Sequence, residues 1–323
     1  MTSRDRHFYL VVGISPAILI LCLLMGPAGI GLPDWTTQHE ILLLRVTRIL
    51  AGLIVGAALS TAGVVLQAIL RNPLAEPYVL GVSSGAGLGA ALAILTGFSA
   101  LGPFTLPFTA FLLAVATLIA VYALASNSGA TPSLYGLILS GVIVSSVCSS
   151  LLMFLVSVAP VEGMHSILWW MLGNLDIASN ALLAATGGVV LAGCIGIWLL
   201  APEFNALTLG HDMAHYLGIR VRLAIGAGLL LATLITAASV GISGLIGFVG
   251  LVVPHIMRNL VGPDHRRLIP ASALGGGAFL AACDALARTL LSAEIPVGVV
   301  TALVGGPFFL FLLRKRQKDQ WLS

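Results

Sequence analysis

The sequence predicts an all-α polytopic membrane protein of about ten transmembrane helices. Three observations carry this fold class. Of 323 residues, 59% are apolar and only 8% charged, whereas a soluble domain carries about a quarter charged residues to keep its surface wet. The apolar residues fall into runs of about 20, the length that crosses a hydrocarbon core. The basic residues gather in alternate loops, as the positive-inside rule requires.

Taken in order, the spans lie near residues 8–28, 46–69, 79–97, 104–126, 134–157, 181–201, 222–240, 244–261, 270–290 and 297–313. The first follows Arg4 and Arg6 without a clear small-residue cleavage site, so it reads as a retained span rather than a signal peptide. Pro103 and Pro107 soften the start of the fourth, and a glycine-rich joint from Gly241 to Gly250 separates the seventh from the eighth. Residues 167–175 are too short to span and read as a partial helix at one surface. Ten spans put both termini on one side. With that side cytoplasmic, twelve of the fifteen Lys and Arg residues lie inside, and only Arg45, Arg48 and Arg288 lie outside. The expectation is a single transmembrane domain over residues 1–323, in a bacterial inner membrane.

Composition excludes several classes. The net charge of +3 gives no footprint for nucleic acid. Lysine occurs only at 315 and 318, so no Walker A loop is present and the chain cannot itself be a P-loop ATPase. Cys22, Cys148, Cys194 and Cys283 stand singly in apolar runs and read as small buried hydrophobes. Gly81, Gly85 and Gly89, like Gly52 and Gly56, recur every fourth residue and read as close helix contacts, not as a nucleotide loop.

Several residues outside or within the spans invite chemistry. His211-Asp-Met-Ala-His215 places two histidines one helical turn apart, but offers Asp212 where a zincin uses glutamate and no third ligand, so surface contacts are favoured over a metal. His255, after Pro254, is expected to hydrogen-bond carbonyls freed by the proline. Met164 and His165 at the outer mouth are a weak soft-ligand pair. Asp284 and Arg288 are four apart on one helical face and either pair with each other or mark a path. Arg45 and Arg48, at the outer start of span two, either face something acidic or pair with Asp34 or Glu40. The long loop from Glu203 to Arg222 carries short apolar turns broken by Gly210 and Gly218, a surface that calls for a partner.

Three stretches in register resemble the FecCD-type permeases, membrane subunits of ABC importers for iron chelates, haem and cobalamin. They are Arg71-Asn-Pro-Leu-Ala-Glu-Pro77 with Leu80-Gly-Val-Ser-Ser-Gly-Ala86; Gly247-Phe-Val-Gly-Leu-Val-Val-Pro-His-Ile-Met-Arg258 with Asp264-His-Arg266; and Pro296-Val-Gly-Val-Val-Thr301 with Gly306-Pro-Phe-Phe309. Pro73 and Pro77 are expected to serve a rigid turn without touching substrate. The resemblance implies the permease architecture of a type II ABC importer, with a second permease copy (a homodimer), two cytoplasmic ATPase subunits that use ATP and Mg, and a periplasmic binding protein. It places ATPase coupling at Leu207, Leu209, Gly210, His211, Ala214, Leu217 and Gly218 within a cytoplasmic loop at about 203–222. Arg45, Arg48 and Arg288 match arginines that receive acidic residues of the binding protein in the family, with Thr47 departing from a frequent proline. Spans five and ten would line the path, with an inner gate at Ser133, Leu134 and Tyr135.

The function so implied is transport without covalent chemistry, and no cofactor or metal bound by this chain. A ferric siderophore is the preferred cargo, with cobalamin and haem as alternatives. A proton-coupled transporter would need carboxylates near the midplane, where only Asp284 stands. An intramembrane enzyme would need a nucleophile–base set or metal cluster within the spans, and none is evident.

Overall fold

The computed structural model describes residues 3–26, 29–31, 39–126, 133–177, 179–291 and 293–321. Ten helices match the ten expected spans: α1 (Ser3–Leu24), α2 (His39–Ile69), α3 (Val82–Leu95), α4 (Thr105–Ala125), α5 (Leu134–Val158), α7 (Asn180–Leu199), α10 (Val221–Ser243), α11 (Val249–Val261), α12 (His265–Thr289) and α13 (Val297–Trp321). Between them lie α6 (Val161–Met171) and the short α8 (Ala201–Leu207) and α9 (His211–Tyr216). Seven helices are long and apolar enough to cross a membrane. A two-residue antiparallel ladder, β1 (Met25–Gly26) with β2 (Gly29–Ile30), follows α1.

Helix α2 is the axis of the bundle, packed between α12, α10, α11 and α7. Its small residues let backbones touch where lipid supplies no hydrophobic drive. A Cβ at Gly56 would strike the Gly276 carbonyl of α12, and one at Gly63 would strike the Gly250 carbonyl of α11. The Ser60 hydroxyl donates across the same α2–α12 seam to the Ser272 carbonyl at 2.5 Å. The expected glycine repeat Gly81, Gly85, Gly89 serves the third span against α4, where Gly85 meets Thr117 and Gly89 meets the Thr109 carbonyl.

Helices α3 and α11 have 14 and 13 residues, which at 1.5 Å per residue is about 20 Å, short of a bilayer core of about 30 Å. Each is preceded by irregular backbone: a 3-10 turn, Pro77–Leu80, and the unwound stretch 244–248. Irregular backbone at this depth persists only where protein satisfies its polar groups. Here the two stretches satisfy each other. The Tyr78 hydroxyl donates to the Ile246 carbonyl at 2.9 Å and accepts the Ile246 N–H at 3.0 Å. The Asn174 N–H caps the Ser243 carbonyl at 2.8 Å, and the Gly298 N–H reaches the Leu172 carbonyl at 3.2 Å.

Three expectations are adjusted. The second helix starts at His39 rather than 46, so Arg45 and Arg48 stand inside it instead of at its edge. The partial helix expected at 167–175 forms at Val161–Met171, because Pro160 starts it and Gly173 (φ +78°) stops its continuation. Cys22 and Cys283 are buried, but Cys148 and Cys194 are only half-buried; Cys148 lies on α5, whose outward face is uncovered.

Candidate functional site

The loop from 203 to 222 folds into α8 and α9, broken at Gly210. Its φ of +116° bars proline outright and strains any residue with a Cβ. The seven residues expected to couple to an ATPase divide between two faces. Leu207 and Ala214 are fully buried with Phe204 in the main core, so they anchor the loop to the bundle. Leu209, Leu217 and Gly218 are exposed, and Gly210 and His211 are intermediate. Met213 and Tyr216 extend the exposed face, with Tyr216 83% exposed. The uncovered apolar positions 213, 216 and 217 form a stripe at helical spacing on α9 and its C-cap, with Leu209 uncovered before the break; that spacing was the available signal for Met213 and Tyr216.

The loop is clasped to α12 by Asn205, a residue that motif reading missed. Its Nδ2 donates to Asp264 Oδ1 at 2.8 Å, while its Oδ1 accepts the His265 backbone N–H at 2.9 Å and lies 2.7 Å from His265 Nδ1. A backbone N–H can only donate, so Asn205 Oδ1 is an acceptor there. It follows that Nδ1 of His265 carries the ring proton and Nε2 is left as a lone pair. Asp264 also caps α12 by accepting the Arg266 N–H at 3.1 Å. Burial opposes the charge of Asp264, but these hydrogen bonds and the charges of Arg266 and Arg267 outweigh it and hold the carboxyl below its ordinary value.

Glu76 ties the first resemblance motif to the second. Its carboxyl lies close to the backbone N–H of Phe248, with Oε1 3.6 Å from where a Cβ on Gly247 would stand; Phe248 is the N-cap of α11, held at φ +68°. A non-glycine residue in this region is strained, and the nearby carboxyl favours the N–H that this conformation turns toward it. Burial raises the Glu76 carboxyl above its ordinary value, against the lowering effect of that N–H. Pro73 and Pro77 sit in the same turn, with Pro77 starting the 3-10 turn. His255 packs edge-on to Phe308 with ring centroids 6.0 Å apart. His165 stacks on Trp169 at 6.0 Å.

The residues expected at the inner gate begin α5. Ser133 is its N-cap and accepts the Gly136 N–H at 2.9 Å; Leu134 packs partly on the main core; Tyr135 is 88% exposed. Most of α5 faces outward, with Leu139, Val142, Ile143, Val147 and Phe154 uncovered. Leu303, Val304, Leu310 and Phe311 of α13 are uncovered too.

The three outer arginines turn inward. Arg45 donates through Nη1 to the carbonyls of Leu23 at 3.0 Å and Gly31 at 2.9 Å, closing the α1 end and the β hairpin. Arg288 Nε meets Asp284 Oδ2 at 2.9 Å, the i, i+4 pair the spacing suggested. Arg48 grips the other carboxylate oxygen through Nη2 at 2.8 Å and reaches Glu294 through Nη1 at 2.9 Å. Arg45 and Arg288 are 7% and 3% exposed, so only the Arg48–Glu294 edge meets the surface. The acidic partners of Arg48 are therefore Asp284 and Glu294, and that of Arg288 is Asp284, whereas Arg45 is held by main-chain carbonyls. Asp34, one of the two expected, lies outside the described residues; Glu40, the other, is exposed. Arg45 Nε and Arg288 Nη2 have no hydrogen-bond partner among the described residues.

Among the described residues no cluster of three or more His, Cys, Asp or Glu could hold a metal; His211 and His215 stand as a pair alone. The described residues form a bundle with broken helices at its centre, an uncovered α5 face, and a clasped loop with an apolar stripe.

Comparison with known proteins agrees with this arrangement. The FecCD transport family pattern matches residues 11–315. A cobalamin import system permease of Halobacterium salinarum is 43% identical over 98% of this chain and 84% of its own length. A hemin transport system permease of Yersinia pestis is 38% identical over 94% of this chain and 95% of its own. A solved metal-chelate type ABC transporter in an inward-facing conformation superposes with a TM-score of 0.86 at 32% identity, covering 97% of this chain and 100% of that one.

Proposed function

The chain belongs to the FecCD transport family, and from that premise we propose that it is the membrane permease of an ABC importer for a metal chelate. The observation that carries the proposal is the match of fold and sequence over nearly the whole chain to a metal-chelate type ABC transporter. Relatives named for cobalamin, hemin and iron chelatin import are 36–43% identical. A ferric siderophore, cobalamin and haem all share the trait the interior suits: a bulky chelate passed without being gripped. Capture and discrimination belong to the binding protein.

On this reading two copies pair across the uncovered α5 and α13 faces and enclose the path between them. Both termini lie in the cytoplasm on this reading, which the arginine asymmetry supports. Ser133, Leu134 and Tyr135 close the inner end. The ATPase, which supplies ATP and Mg chemistry, seats on the exposed stripe at Leu209, Met213, Tyr216 and Leu217, while Leu207 and Ala214 transmit its movement to the core. Gly210, His211 and Gly218 shape that loop. Asn205 then carries the same movement to α12. An acidic binding protein meets the outer rim at Arg48, with Arg45 and Arg288 fixing the rim behind it.

The direct test is to copurify the chain with its ATPase in detergent. Gly210→Pro should insert normally but lose the ATPase. Retention of the ATPase by this variant would remove the coupling assignment.

A further inference from the structure

A cavity of about 370 Å³ lies between the end of α2, α8, α11 and the turn into α12, lined by Gln67, Arg71, Thr208, Arg258, Pro263 and His265. It lies apart from the uncovered α5 face and the outer rim, and behind the loop that carries the apolar stripe. In the proposed orientation it opens on the cytoplasmic side, the one respect in which it rests on that reading.

Its polar groups are built into place. Gln67 is 4% exposed and its amide donates to the carbonyls of Ala75 and Gly250 at 3.4 and 3.3 Å. This leaves its Oε1 to accept Arg258 Nη2 at 2.8 Å, which fixes the guanidinium. Arg71 follows the end of α2 at φ +47°, and its Nη1 lies 3.8 Å from where a Cβ on Gly210 would stand. His265 is 3% exposed, and Nε2 has no hydrogen-bond partner among the described residues. The clasp by Asn205, which takes the ring proton on Nδ1, makes that nitrogen an acceptor.

Two guanidinium groups call for an oxyanion, and planar donors of this kind suit phosphate oxygens. A lone imidazole acceptor calls for a donor on the same ligand. Sulfate and a carboxylate have no hydroxyl at neutral pH; hydrogenphosphate has one, and so does a glycerol headgroup next to its phosphodiester. We propose that this cavity binds a phosphate group carrying or adjoining a hydroxyl, its oxygens on Arg71 and Arg258 and its hydroxyl on His265 Nε2. Basic pockets between membrane helices on the cytoplasmic side hold lipid headgroups by this chemistry. With Arg71 beside Gly210 and Thr208 on the wall, an occupant would stiffen the junction between α2 and the loop that carries the apolar stripe.

The test is thermal unfolding of the delipidated full-length chain in detergent, titrated separately with inorganic phosphate, sulfate, phosphatidylglycerol and phosphatidylmethanol, which lacks the headgroup hydroxyls. A rise with phosphate over sulfate identifies a free phosphate site. A rise only with phosphatidylglycerol over phosphatidylmethanol identifies a lipid headgroup. Either should weaken about tenfold in apparent affinity in Arg71→Gln, a change at an exposed side chain, as loss of one charge-assisted hydrogen bond predicts. His265→Phe should abolish the preference for the hydroxyl-bearing ligand while leaving binding of both. No rise with either phosphate or phosphatidylglycerol, equal response to hydroxyl-bearing and hydroxyl-free ligands, or an unchanged Arg71→Gln titration would each overturn the site. None of these outcomes depends on whether an ATPase binds.

Discussion

Asn205 Oδ1 accepts the His265 backbone N–H at 2.9 Å and faces the His265 ring nitrogen at 2.7 Å, joining α8 to the first turn of α12. The two residues are 60 apart in sequence. Asn205→Ala should lower stability by about 1–2 kcal/mol, the cost of stranding partly buried partners. It should also reduce ATP-driven transport by more than it reduces ATPase binding, because the stripe stays intact. Copurification and uptake measured on the same preparation separate the two effects.

The clasp should also show in its pH dependence. Asp264 is held below its ordinary carboxylate value, so its contribution is fully present above the unfolded value of about 4. It is lost as pH falls through the lower folded value. Asp264→Asn should flatten this acid-dependent part of the unfolding curve, lowering stability at neutral pH by the small amount an exposed group contributes and leaving stability in acid nearly unchanged. An identical acid limb in the variant would show that Asp264 is not held by Asn205.

The loop's two faces should respond oppositely. Leu207→Ala should destabilise the chain by about 2–5 kcal/mol, as expected for a fully buried leucine. Met213→Ala with Tyr216→Ala should leave the melting temperature unchanged and abolish ATPase copurification. A stable double variant that keeps its ATPase would place the docking surface elsewhere.

Glu76→Ala frees the N–H of strained Phe248, and should cost about 1–3 kcal/mol. Glu76→Gln retains an acceptor oxygen and should recover most of that loss. Equal destabilisation by both would mean that the charge, and not the cap of α11, is what matters. The comparison needs only unfolding curves in detergent.

At the outer rim, Asp284→Asn leaves Arg48 and Arg288 without their shared carboxylate, and breaking such a buried pair costs about 3–5 kcal/mol. Glu294 is 53% exposed, so Glu294→Ala should cost little stability. If Arg48 receives an acidic partner, removing this competing carboxylate should tighten binding-protein association, most at low salt. Unchanged association in this variant would confine the three arginines to holding the rim together.

What was legible in the sequence was local or periodic. The ten spans follow from apolar length, the Asp284–Arg288 pair from its four-residue spacing, and the break at Gly210 from glycine between short apolar turns. The burial of Arg45 was not legible, because a charged residue near a helix end reads as exposed. Only the carbonyls freed where α1 ends at Leu24, and the hairpin after it, supply a reason for it to turn inward. The links of Glu76 to Phe248 and Asn205 to His265 join residues far apart in the chain, and no spacing encodes them. Leu207 and Leu209 look alike in sequence; which one faces the core is decided by how α8 docks.

Uptake of a metal chelate into proteoliposomes, with the binding protein outside and the ATPase on the lumenal face, tests the central claim most directly. The account predicts accumulation that requires lumenal ATP, persists when the proton gradient is collapsed, and is lost in Gly210→Pro. Accumulation driven by a proton gradient in the absence of ATP would contradict it.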